Sequence, residues 1–214
     1  MERKIRTYES DEIEVEYDVR RCIHAAECVK GLPAVFDPAS RPWIDPTKAS
    51  SAEELARVVE RCPTGALHYR FKADGPTEVG DAQNTVRITA DGPLYLRGRL
   101  RLRFGENTLE ETRAALCRCG QSKDKPFCDN SHVEAGFKHD GRVAENKLRS
   151  DDDAPTTAEV EPVANGPLRV SGRIAVEAAD GSRCEGTGGV FCRCGQSSSK
   201  PFCDGTHRKV GFSS

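Results

Sequence analysis

The chain has 214 residues, of which 36% are hydrophobic and only 6% aromatic, and its 32 basic and 34 acidic side chains leave a net charge of −2. That length allows one large domain or two to three small ones, and the thin apolar supply argues against a single large core. The balanced charge gives no support to nucleic-acid binding or to a membrane-surface role. The opening MERKIRTYESDE is charged and lacks an apolar run, so no secretory leader is expected. No stretch reaches the roughly 18 apolar residues that a membrane-spanning helix needs. The expectation is a cytoplasmic protein whose ten cysteines act as metal or catalytic ligands rather than in disulfides.

In chain order, Ile13, Val15 and Tyr17 alternate as a short strand does. Ser51-Ala-Glu-Glu54 has the form of a capping box. It opens a helix whose Leu55, Val58, Val59 and Cys62 fall on one face. Pro63 ends it, Thr64-Gly65 turns the chain, and Ala66 to Phe71 reads as a strand. These elements predict a compact α+β module over residues 1–78 that contains Cys22, Cys28 and Cys62. His68 has no ligand set around it and is expected to be an ordinary polar residue.

Beyond this module the sequence repeats. Gly92-Pro93-Leu94 through Leu100 parallels Gly166-Pro167-Leu168 through Ile174, and Gly136-Phe137 parallels Gly211-Phe212. Leu94, Leu96, Leu100 and Leu102 share a parity, as do Leu168, Val170, Ile174 and Val176, which places each set on one sheet face. One half-buried sheet of this size is marginal alone. Two packed face to face would give a small β-sandwich with pseudo-two-fold symmetry. The expected modules are residues 79–140 and 158–214. Residues 141–157, with Asp151-Asp152-Asp153 and Pro155, are expected to form a polar surface linker.

Each repeat ends in the same ligand frame, C-x-C-x8-C-x3-H. The first reads CRCGQSKDKPFCDNSH, with Cys117, Cys119, Cys128 and His132; the second reads CRCGQSSSKPFCDGTH, with Cys192, Cys194, Cys203 and His207. Cys-x-Cys sets two thiolates close together, and Cys-x3-His sets a thiolate and an imidazole one helical turn apart. Asp129 and Asp204 stand where a cap would start that turn. Four ligands split two and two suit either one tetrahedral zinc or a two-iron rhomb. The single residue between the first two cysteines is tight for the usual zinc fingers, and the segments lack interleaved aromatics for base stacking. Cys184 has no counterpart in the first repeat and is expected to be a plain thiol; His139 is expected to be an ordinary polar residue.

Both segments resemble the CDGSH iron-sulfur domain, whose pattern is C-x-C-x2-S/T-x3-P-x-C-D-G-S/A/T-H. Ser122 with Pro126, and Ser197 with Pro201, fill its intermediate positions. The resemblance covers roughly residues 85–214 and implies one [2Fe-2S] cluster per motif. Cys117 with Cys119, and Cys192 with Cys194, would hold the inner irons; Cys128 with His132, and Cys203 with His207, the outer ones. Arg118 and Arg193, lodged between paired cysteines, would lie beside the clusters. The first motif departs from the pattern at Asn130, where it has glycine, although asparagine tolerates positive φ better than other side chains. Tandem members of the family look like monomers with an internal pseudo-dyad.

The segments RCIHAAECVKGLPAVFD and CPTGAL resemble a divergent single-cluster ferredoxin of the kind fused to CDGSH domains. The ferredoxin pattern puts its middle cysteine at Ala25. Cys22, Cys28 and Cys62 therefore suit a [3Fe-4S] cluster, whereas a [4Fe-4S] cluster needs a further ligand, for which His24 is the near candidate. The bland alternative is a module that has lost its cluster and keeps three buried thiols.

The expected function is that of a multi-cluster iron-sulfur electron carrier rather than an enzyme, since neither acid-base machinery nor a nucleotide fingerprint is evident. Storage or delivery of clusters is the alternative, and a structural metal scaffold a third. The partner would be a redox protein or an apo-acceptor.

Overall fold

The computed structural model describes residues 3–73 and 75–214. The chain divides into two compact units, Met1–Glu78 and Val79–Ser214.

The first unit carries a three-stranded antiparallel sheet in the order β1-β2-β3, with β1 Ile5–Glu9, β2 Ile13–Asp18 and β3 Leu67–Phe71. Strand β1 has no apolar alternation. It is a strand because an edge needs only backbone pairing, here with β2. Ile13, Val15 and Tyr17 all point inward. Helix α1 spans Glu27–Gly31 and helix α2 spans Ala52–Val59. The Ser51 hydroxyl accepts from the Glu54 N–H at 3.1 Å and starts α2. Leu55, Val58 and Val59 then pack with Ile13, Val15 and Leu67 in one core. Helix α2 ends before Cys62, which sits in the following turn with its N–H on the Val59 carbonyl, 3.0 Å away.

The second unit is rich in strands: β4 Asn84–Ile88, β5 Leu94–Phe104, β6 Asn107–Leu116, β7 Ala158–Pro162, β8 Leu168–Glu177 and β9 Arg183–Phe191. Its only helices among the described residues are single turns, α3 Ser131–Glu134 and α4 Thr206–Lys209. The whole protein is thus α+β with little helix. Hydrogen bonding links the six strands into one sheet rather than the two separate sheets that the periodicity suggests. The reason is a bend in the two long strands. β5 lies along β6 on one edge, while its other edge pairs β4 up to Arg97 and β7 from Leu100 onward. β8 likewise lies along β9, and its other edge pairs β7 up to Ser171 and β4 from Ile174 onward. Each changeover coincides with a bulge holding Gly98 or Gly172. Both have positive φ, 135° and 99°. A Cβ at Gly98 would lie 2.4 Å from Asn84 Oδ1, and one at Gly172 would lie 2.3 Å from the Thr157 carbonyl, so neither position admits a side chain without movement.

The parallel pairings β4–β8 and β5–β7 join the first repeat to the second. One core results, in which Leu94, Leu96, Leu100 and Leu102 meet Leu168, Val170, Ile174 and Val176. The segment between the repeats is not merely a solvated tether. Arg149 pairs with Thr187 and Gly188 through its backbone, Leu148 packs on the core, and Ala154 is buried.

Asn84 clamps the first changeover. Its amide donates to the Thr156 carbonyl at 2.6 Å and the Arg173 carbonyl at 2.9 Å, and its Oδ1 accepts from the Arg99 N–H at 2.8 Å. Asn84→Ala strands these buried groups and is expected to cost about 3 kcal/mol. Urea titration of the apo and loaded chains measures the loss, and a change below about 0.5 kcal/mol would remove the clamp from the account.

Candidate metal centres

In each repeat the ligand frame sits at the end of a hairpin. Strand β6 runs directly into Cys117, and β9 into Cys192. The loop after each then folds back. Cys117 N–H bonds the Pro126 carbonyl at 2.9 Å and Cys128 N–H bonds the Ala115 carbonyl at 2.9 Å. The second repeat repeats the closure, with Cys192 on Pro201 at 2.8 Å and Cys203 on Val190 at 2.8 Å. This antiparallel closure brings the third cysteine beside the first pair. The buried hydroxyls of Ser122 and Ser197 brace the loops by donating to the Phe127 and Phe202 carbonyls, at 2.6 and 2.7 Å.

The potential ligands come as pairs. Sγ of Cys117 and Cys119 are 3.7 Å apart, and those of Cys192 and Cys194 are 3.8 Å apart. Cys128 Sγ lies 3.4 Å from His132 Nδ1, and Cys203 Sγ lies 3.3 Å from His207 Nδ1. Among the described residues, no three such side chains gather round one point. The Cys-x-Cys pairs are buried, whereas His132 and His207 are half-exposed.

Helices α3 and α4 begin at Asn130 and Gly205, with φ of 71° and 87°. Asn130 thus adopts the same left-handed turn as its glycine counterpart. Asp129 and Asp204 act one residue before the N-cap. Asp129 accepts from the Ser131 and Lys123 N–H groups, and Asp204 from those of Thr206 and Ser198, tying each helical turn to the loop before it. These bonds hold both carboxyls below the usual range, at Asp129 against the opposing effect of burial.

Backbone N–H groups aim at the sulfurs. Those of Ser122, Gly120 and Cys119 face Cys117, and those of Ser197 and Gly195 face Cys192. Gln121, Asn130 and Gly205 donate to Cys119, Cys128 and Cys203 at 3.4, 3.5 and 3.4 Å. The Cys119 thiol also donates to Cys117, whose thiol is thereby held below its ordinary value, while Cys119 is raised. Burial pushes Cys128 up to about 12 and raises Cys192 and Cys203. Buried, paired thiols that receive several N–H donors suit anionic sulfur carrying metal.

The two Cys-x-Cys-Gly loops face each other. A Cβ on Gly120 would lie 2.9 Å from the Cys194 carbonyl, and one on Gly195 would lie 2.6 Å from the Cys119 carbonyl. Arg118 and Arg193 are both buried there. Each guanidinium lies over an aromatic ring of its own repeat, Arg118 over Phe137 at 5.1 Å and Arg193 over Phe212 at 5.4 Å.

In the first unit, Cys22, Cys28 and Cys62 line one cavity of about 530 Å³, together with Tyr8, Tyr17, His24, Ala25, Ala26 and Trp43. His24 and Ala26 have positive φ, 56° and 62°, so the loop between the first two cysteines curls around the cavity. Burial, then the charges of Cys62 and Cys22, push the Cys28 thiol up to about 11. Burial and a hydrogen bond to Cys22 raise the Tyr17 phenol. Three thiols round a cavity of this size fit a cluster better than a lone ion. Cys184 packs at the edge of the second unit's core, away from these sets, and His68 bonds Glu78 at 3.1 Å. His139 is not the idle polar residue its sequence context suggests: its Nδ1 lies 2.8 Å from Arg118 Nη1. No spacing signal marks it, because its counterpart in the second repeat is Ser214.

Comparison with known proteins finds two family models in this chain. A family model described as a divergent 4Fe-4S mono-cluster matches residues 8–72, and one described as an iron-binding zinc finger of CDGSH type matches twice, at residues 91–133 and 165–208. The Uncharacterized protein YjdI of Escherichia coli K12 and its namesake in strain O157:H7 are each 36% identical over 67 residues, covering 31% of this chain and 87% of their own length. That similarity falls in the N-terminal part. No solved structure matches the chain significantly. The chain carries a divergent 4Fe-4S mono-cluster domain, similar to YjdI, followed by two domains of the iron-binding CDGSH type.

Proposed function

We propose that this protein is an electron carrier with three centres: a [2Fe-2S] cluster in each CDGSH motif and a [3Fe-4S] cluster in the N-terminal unit. The observation that carries the reading is the pairing of ligands, buried thiol with buried thiol and thiol with half-exposed imidazole, in both motifs. A single tetrahedral ion draws all four donors to one point, whereas a two-iron rhomb takes two donors at each end. Cys117 with Cys119 and Cys192 with Cys194 hold the buried irons. Cys128 with His132 and Cys203 with His207 hold those nearer solvent. Cys22, Cys28 and Cys62 hold the third cluster, and the exposed His24 is the ligand to add for a [4Fe-4S] form.

The clusters supply one-electron chemistry when bound. The chain supplies N–H donors that stabilise charge on sulfur and the Arg118 and Arg193 cations, both of which favour the reduced state, and a dry surround in which those interactions are strong. The half-exposed imidazoles favour a second reading, delivery of clusters to an apo-acceptor protein, because a ligand that protonates readily is a point of release. The two CDGSH repeats share one core, and this supports a monomer with an internal pseudo-dyad. All ten cysteines are unbridged, which suits a reducing cytoplasm. Among the described residues no helix is long and apolar enough to cross a membrane.

Iron and sulfide analysis with EPR of anaerobically purified protein tests the assignment. Roughly seven irons per chain are expected, two for each [2Fe-2S] and three for the [3Fe-4S] centre. Zinc in their place would overturn it. Reversible reduction without loss of iron favours electron carriage, and intact transfer to an apo-ferredoxin favours delivery.

A further inference from the structure

Arg118 and Arg193 occupy matching places between paired cysteines, yet they are held differently. Arg118 is 1% exposed and every side of its guanidinium is satisfied. Nε donates to the Gly92 carbonyl at 2.8 Å, Nη2 to the Thr89 carbonyl at 2.5 Å, and Nη1 to His139 Nδ1 at 2.8 Å. All three acceptors are neutral, so no carboxylate is bonded directly to this buried charge. Among the described residues, Arg193 hydrogen-bonds Ser214 Oγ, and its buried Nε has no hydrogen-bond partner.

His139 is itself held on several sides. Its N–H donates to Asp91 Oδ1 at 2.8 Å, and Nδ1 also accepts from the Gly141 N–H at 3.0 Å. Two donors on Nδ1 leave the proton on Nε2. The ring also comes near the backbone of Lys200, inside the second motif, so that Nε2–H faces that carbonyl. The side chain is 14% exposed. It therefore bridges a cation in the first motif to the loop of the second. The Cys-x-Cys-Gly loops that meet at Gly120 and Gly195 put the two motifs in contact at this place. The charges acting on Arg118 agree: the largest is Cys192 of the second motif, ahead of Asp91 and Cys119.

We propose that His139 is a positioning residue that locks the Arg118 guanidinium between the two CDGSH motifs, so that one buried cation raises the reduction potential of both clusters. This rests on the assignment of a [2Fe-2S] cluster to each motif. Each cluster gains a negative charge on reduction, and a fixed cation in a dry site stabilises that charge at both. Without His139 the guanidinium has an unmet donor and swings toward water.

Redox titration of the full loaded chain, followed by EPR, tests this with His139→Ala and His139→Asn. In the Ala chain both [2Fe-2S] transitions are expected to fall, by about tenfold in the reduction equilibrium, which is about 59 mV for one electron. Asn keeps an acceptor where Nδ1 stood and is expected to hold both potentials near the parent values. If the Ala chain fails to retain iron, His139→Leu, which fills the space without an acceptor, carries the same expectation. A shift of one transition alone, of neither, or an equal fall in the Asn chain would overturn the proposal. Absence of two [2Fe-2S] signals from the parent chain would instead count against the cluster assignment.

Discussion

Replacing His207 by cysteine lowers the potential of the second CDGSH cluster and slows its loss at mildly acidic pH. A thiolate in place of neutral imidazole makes the cluster one unit more negative and harder to reduce. Two histidines in place of two cysteines raise two-iron potentials by a few hundred millivolts, so one exchange is expected to lower this one on the order of 100 mV. The acid effect has a separate cause, since protons compete with iron for imidazole. At the first motif the direction of that competition is set by the surroundings. Burial, then the Arg118 charge, hold the His132 imidazole below its ordinary 6.5, against Asp129 and Asp91. A folded value below the unfolded one gives stability that is complete above the unfolded value and is lost as pH falls. Loss of the first cluster is therefore expected to quicken only below that ordinary value. Redox titration reads the change in potential, and cluster absorbance followed over time across a pH series reads the acid effect. If His207→Cys leaves potential and loss kinetics as they were, histidine is not an iron ligand there.

Cys62→Ser is expected to empty the N-terminal unit and leave the CDGSH clusters in place, taking iron from roughly seven to roughly four per chain. Cys62 is 8% exposed and comes from the turn after α2, whereas Cys22 comes from the loop after β2 and Cys28 from helix α1. It is thus the thiol that closes the cavity from the far side in sequence. A serine there cannot replace the soft anionic sulfur. Cys28→Ser, on the other wall of the cavity, is expected to give the same iron count and guards against a folding defect specific to one site. Retention of the full iron complement in both variants would mean that these thiols hold no cluster. A parent chain with only four irons would mean that the unit is already empty.

The family was legible in this sequence because its signature is local. Cysteine and histidine at short fixed spacings, together with Ser122 and Pro126 or Ser197 and Pro201, need no knowledge of distant contacts. The inward faces of β2, β5 and β8 were legible for the same reason, since alternation is a property of one strand. Strands β1, β4 and β7 were not, because short segments without clear alternation, such as IRTYE, become strands only by pairing: β1 with its neighbour β2, and β4 and β7 with strands remote in sequence. His139 was equally hidden: nothing near it in the chain marks it, and its partner Arg118 lies 21 residues away.

By itself, the sequence determined the chemistry on offer: two copies of a thiolate-imidazole frame, a third set of cysteines, and an apolar face for each long strand. Tertiary structure alone decided how the copies meet. The bends at Gly98 and Gly172 pass β5 and β8 from one partner to another, so the repeats share a core instead of standing as separate sheets. That sharing sets the two Cys-x-Cys-Gly loops face to face and brings a histidine of one repeat to the backbone of the other. Side-chain spacing along a chain records which atoms can act together within one turn or hairpin. Contacts across a pairing of distant strands are set by the free energy of burying the whole core, and no single segment carries them.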